Sequence, residues 1–115
     1  MKKGFYFIVV NDRDKDGNTY MKPELCEGSY EYYGKLFVHR SKDYEGWSGS
    51  WKVSHREAGS NIASNKTLSQ ARKIAKGLQG FPLWELKNHQ ALTDAVKSSL
   101  YEDQVKEIKK VLDIW

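Results

Sequence analysis

Cysteine and proline are nearly missing from this chain: Cys26, Pro23 and Pro82 are all that its 115 residues contain. One thiol can form neither an intrachain disulfide nor a two-cysteine metal clip, and beside polar Glu27 it reads as an inert side chain. Long apolar runs are missing too. The most apolar stretch, Phe5 to Val10, ends after six residues at Asn11-Asp12-Arg13-Asp14. That is shorter than the apolar core of a signal peptide and far below the roughly 20 residues of a membrane span. The run is expected to be a buried, central strand, and the protein to be cytoplasmic with no membrane partner.

Chemistry-bearing motifs are equally sparse. There is no glycine-rich phosphate loop, G-x-S-x-G elbow or H-E-x-x-H pair. His39, His55 and His89 lack any second ligand at metal-binding spacing, and His55 is expected to be a hydrogen-bonded, half-buried residue. No cofactor is expected, and no enzyme. The remaining catalytic alternative is an acid–base pair drawn from dispersed carboxylates such as Glu31, Asp43 and Glu45. Asp12, Asp14 and Asp16, followed by Gly17, match the opening of a calcium loop, in which alternate carboxylates curl around a hard cation. The twelfth position, however, holds Pro23 rather than a bidentate Glu, and Arg13 and Lys15 offset the charge. The segment reads as an acidic hairpin turn, with Asp12, Asp14 and Asp16 as the candidate ligands if a metal binds.

Hydrophobic residues make up 39% and charged residues 30%, the balance of one globular domain spanning residues 1–115. Asp16-Gly17 signals a hairpin, with a partner strand from Thr19 that Pro23 is expected to break. Glu24 to Gly34 reads as irregular or edge structure, and Lys35 to Ser41 as a further strand. From Trp47 to Arg56 the residues alternate. Trp47, Trp51, Val53 and His55 fall on one face, and Ser48, Ser50, Lys52, Ser54 and Arg56 on the other, which predicts one buried and one wet face. Ser60 to Ser64 forms a short strand. Thr67-Leu68-Ser69-Gln70 fits a capping box that opens a helix with the stripe Leu68, Ala71, Ile74, Ala75 and Leu78. Gly80 stops it, Pro82 favours a new start, and Ser99 to Glu102 reads as a second capping box before the stripe Val105, Ile108, Leu112, Trp115. The fold class is therefore α+β: an antiparallel sheet of about four to five strands from the N-terminal half, packed against two to three C-terminal helices.

The chain has four Trp and seven Tyr. Trp47 and Trp51 are expected to pack on the helix stripe, an exposed base-stacking platform being the alternative. Tyr6, Tyr30, Tyr32 and Tyr33 are candidate interface anchors.

The formal charge of +4 is unevenly spread, since residues 35–79 hold nine basic side chains against three acidic ones. The two flanking segments each hold five basic and six acidic. Lys35, Arg40, Lys52, Ser54, Arg56, Lys66, Arg72, Lys73 and Lys76 are thus the candidate partner contacts, because Lys, Arg and Ser are the groups that meet phosphates and carboxylates. A solvated basic face that only keeps the protein soluble is the competing reading.

Trp47 to Ala75, with its strand, Gly-containing turn, strand and Thr-capped helix, resembles the arm-type DNA-binding domains of phage integrases. That resemblance implies a sheet laid in the DNA major groove with Lys52, Ser54, Arg56 and Lys66 as contacts. The chain departs from that family in lacking a recombinase domain and carrying extra helices. Taken as complete from Met1, it also resembles the small accessory proteins of phages and mobile elements, anti-CRISPR proteins among them. This implies a non-enzymatic inhibitor in the cytoplasm of a bacterial host, docking on an acidic protein surface or a nucleoprotein complex. Direct binding of DNA or RNA is the alternative.

Overall fold

A computed structural model describes residues 1–43 and 46–114, with the side chains of residues 41–48 excepted. Five strands form one antiparallel sheet in chain order: β1 (Lys2–Arg13), β2 (Thr19–Tyr33), β3 (Leu36–Asp43), β4 (Gly46–His55) and β5 (Asn61–Lys66). Three helices follow, α1 (Leu68–Leu78), α2 (His89–Lys97) and α3 (Glu102–Ile114), with a 3-10 turn at Pro82–Glu85 and another at Ser99–Tyr101. The α+β class expected from the sequence is what the chain adopts.

The face of β3 and β4 bearing Leu36, Val38 and Val53 packs against α1. Those residues, together with Ala71, Ile74, Ala75 and Leu78 of the helix stripe, are fully buried. Trp51 is half-buried against this core, whereas the Trp47 side chain and Trp115 lie outside the described residues. Thr67 caps α1 as its sequence demands: the Thr67 hydroxyl accepts from the Gln70 amide, and the Gln70 side chain accepts from the Thr67 amide. Further along, Ser98 rather than Ser99 is the cap, accepting from the Leu100 amide one turn before α3 begins.

The strand pattern departs from expectation in β1 and β2. The apolar run Phe5–Val10 is not central, because β1 is an edge strand of the sheet. Nor does Pro23 break β2, which continues through it and pairs Pro23 with Val9. The Val9 amide points away from β2 and donates to Gly59 O at 2.9 Å. In an antiparallel ladder Val9 and Pro23 are therefore a non-hydrogen-bonded pair, and the missing proline donor costs no ladder bond. Glu24–Tyr33, within the segment expected to be irregular or edge structure, completes this 15-residue strand.

Only Tyr30–Tyr33 of β2 pairs with β3, so the rest of the β1–β2 hairpin overhangs the sheet. It curls across the second face. Tyr6 of β1 reaches Phe37 and His39 of β3 edge-on and tilted, with ring centroids 5.4 and 5.0 Å apart. The expected wet face is thereby covered in part: Ser54 is only 1% exposed, Ser50 and Lys52 are half-buried, and Arg56 stays exposed. Alternation in β4 identified two faces correctly, but the sheet supplies its own cover for the second.

The turn Arg56–Gly59 receives the hairpin. Gly59 has φ 71°, and a Cβ there would sit 3.0–3.1 Å from the Ile8 and Val9 backbone. Both the left-handed backbone and the close approach require glycine. Gly59→Ala is expected to cost about 2 kcal/mol, from αL strain plus displacement of β1. A thermal melt should show a midpoint lower by roughly 5–10 °C.

Candidate functional site

The nine side chains expected to form one basic face are divided between the two faces of the sheet. Cross-strand pairs share a face, so Arg40, Trp51 and Lys66 form one row across β3, β4 and β5. This row lies on the α1 side, since Trp51 packs on the helical core. Lys52, opposite His39, points to the other side with Ser54 and Arg56.

Several of the nine are already engaged within the fold. Arg72 grips Glu31 with Nε and Nη2 at 2.9 and 2.6 Å, a bidentate pair that joins α1 to β2. That guanidinium, followed by the Tyr33 hydroxyl at 2.6 Å, holds the Glu31 carboxyl below its ordinary range. Glu31 is therefore a structural carboxylate rather than an acid–base group; Asp43 and Glu45 have side chains outside the described residues. Lys35 pairs with Glu57 at 2.7 Å. Arg56 lies 3.6 Å above the Tyr32 ring and donates to Gly34 O. Lys73 and Lys76 stand exposed on the solvent side of α1.

Ser54 is withdrawn from any partner: its hydroxyl meets His39 Nε2 at 2.8 Å, and both residues are 1% exposed. A Ser–His pair has the contact of a nucleophile and its base. Here it is sealed beneath Tyr6 and stacked on Phe37, and no substrate can reach it. Burial drives the His39 pKa down to about 4 and the Tyr6 pKa up to about 12, the nearby Cys26 adding to the second.

His55 is fully buried, more so than expected, and its two nitrogens have distinct jobs. Nδ1 accepts the Ala58 amide at 3.0 Å, which leaves the proton on Nε2 to be donated to Trp84 O at 2.6 Å. Burial lowers its pKa as well. The acidic turn is self-contained: Asp14 Oδ1 accepts the Asp16 and Asn18 amides, and Asp12 is held by Lys22 at 2.7 Å. Among the described residues no three His, Cys, Asp or Glu side chains converge as a metal site would require.

Of the candidate anchors, Tyr6 is buried and Tyr33 packs on the core, while Tyr30 and Tyr32 contact each other at 5.1 Å between centroids. Sequence reasoning missed the Arg56–Tyr32 stack and the role of Trp84. Neither has a local signal, because residues 24 and 29 positions apart are brought together only by the tertiary fold. No helix among the described residues is long and apolar enough to cross a membrane.

The fold thus defines an α+β domain with a self-covered antiparallel sheet and a divided set of cations. Comparisons of the chain with protein-family models, curated proteins and solved structures gave no match.

Two measurements check these assignments. His39 has a folded pKa below its unfolded value near 6.5, so the folded state binds fewer protons, and stability falls as pH drops from about 6.5 towards about 4. The expected loss is about 3 kcal/mol, read by urea titration across that window. Removing the pair together, as His39→Phe with Ser54→Ala, should flatten much of the slope and leave the part that belongs to His55. Separately, Arg72→Glu sets two carboxylates against each other and should destabilise the domain by about 2 kcal/mol. Lys76→Glu on the solvent side should stay within about 0.5 kcal/mol.

Proposed function

We propose that this chain is a non-enzymatic binding protein that docks on an acidic protein surface or a nucleoprotein complex, as small phage accessory proteins do when they occlude a target. The row Arg40–Trp51–Lys66 carries this reading: two cations in register on either side of a half-buried indole. Carboxylates and phosphates both meet such a surface, the cations supplying long-range attraction and the ring contact area. The helix that follows adds to the same side, with Lys73 and Lys76 exposed along α1. Lys35 and Arg72, held by Glu57 and Glu31, contribute charge to the surrounding field more than direct contacts.

Direct binding of DNA or RNA is a second reading, favoured by the same indole. An aromatic ring between cations stacks an unpaired base while the cations hold the flanking phosphates. A duplex major-groove mode through Lys52, Ser54 and Arg56 is not supported, since Ser54 is buried beneath the hairpin that crosses this face.

The test is a titration of labelled single-stranded DNA and labelled polyglutamate at about 50 mM and about 200 mM salt. The wild-type chain should bind at least one of them and weaken about tenfold or more across that range. Arg40→Glu with Lys66→Glu should abolish the binding while the far-UV circular dichroism spectrum of the folded domain is retained. Binding unaffected by the double reversal would remove this surface from consideration. A preference for DNA over polyglutamate at equal salt favours the second reading.

A further inference from the structure

The free edge of β1 lies on the opposite side of the molecule's sheet from that row, and its chemistry is independent of it. The β1–β2 register is unbroken from Lys2–Tyr30 to Arg13–Thr19. Since Val9 turns its amide outward to Gly59 O, alternation directs the backbone groups of Phe5 and Phe7 outward as well. Among the described residues, the Val9 bond is the one backbone hydrogen bond formed across this edge. Sheet edges are ordinarily blunted by charge or proline. Here Lys2, Lys3 and Arg13 guard the two ends, and Phe5 to Val9 between them carries no charge.

Beside this open stretch runs a groove of about 340 Å³, walled by β1 on one side and by Tyr32, Phe37 and the Arg56–Gly59 turn on the other. Phe5 and Phe7 are 63% and 58% exposed at its rim. Its charge is one-sided. Arg56 and Lys2 both sit over the Tyr32 ring, at 3.6 and 5.4 Å, and neither forms an ion pair among the described residues. The one carboxylate in the wall, Glu57, is neutralised by Lys35.

From these features we infer that β1 takes an added strand: an extended peptide segment of a partner protein, apolar at alternate positions, with an Asp or Glu set against Arg56. Main-chain hydrogen bonds to Phe5 and Phe7 would hold it, and the groove would select its side chains. Four residues of strand span roughly 13 Å, enough to bring both outward-facing positions into the ladder. The carboxylate answers the unpaired cations at the Tyr32 end.

Panning a random-peptide display library on the full chain, followed by anisotropy titration of enriched peptides, tests this. Enriched peptides should alternate apolar residues and carry an acidic one. Phe7→Pro deletes an amide that bonds nothing within the chain, so the fold should persist while those peptides bind about tenfold more weakly or not at all. Phe7→Thr keeps the amide and should stay within about threefold, whereas Arg56→Glu should lose about tenfold. If Phe7→Pro does not fold, Phe5→Pro makes the same cut one ladder step away and is read identically. The inference is overturned if no peptide is enriched, or if enriched peptides bind the proline variant as tightly as wild type. It is also overturned if the chain sediments as a dimer that the proline substitution converts to monomer, because a second copy would then occupy the edge.

Discussion

One imidazole joins the two halves of this protein. His55, at the end of β4, accepts the Ala58 amide through Nδ1 and donates to Trp84 O through Nε2. The first bond shapes the tight turn whose Gly59 carbonyl receives β1, and the second fixes Trp84. The Trp84 indole in turn donates to Leu78 O at 2.5 Å, closing the C-terminal end of α1. The hairpin cover and the helical layer thus meet at one fully buried neutral histidine. A buried imidazole with both nitrogens satisfied is stable only in its neutral form, which ties the architecture to pH.

Different layers cover the two faces of the five-stranded sheet. The helices cover one face, and the sheet's own overhanging hairpin covers the other. That choice brings His39 and Ser54 inside as a matched pair, whereas Glu31, Arg72 and Tyr33 satisfy one another at a part-buried seam between β2 and α1. His39 or Ser54 left alone would carry the cost of an unsatisfied buried group. The hairpin that closes the second face also becomes the edge of the sheet, so the same fold that seals Phe37 leaves Phe5 and Phe7 exposed.

The divided cations follow from this arrangement. Eight basic candidates clustered in sequence suggested one face, but period two in β4 and the helix on one side send them in opposite directions. Arg40 and Lys66 flank Trp51 on the helical side, and Arg56 lies with Tyr32 at the groove. Charge density along a chain and charge density on a surface are different quantities, and the strand alternation is what separates them.

By itself the sequence determined the α+β class, both faces of β4, the Thr67 capping box and the stripe of α1. All of these depend on residues within a few positions of one another, where period and capping chemistry act directly. Only the tertiary structure decided that the Phe5–Val10 run is an edge, that Pro23 sits harmlessly in a strand, and that Ser54 is sealed from solvent. Each depends on how the overhanging hairpin curls, set by the Val9–Gly59 contact between segments 50 residues apart. No local pattern encodes a meeting at that range, because it is fixed by the shape of both surfaces once folded.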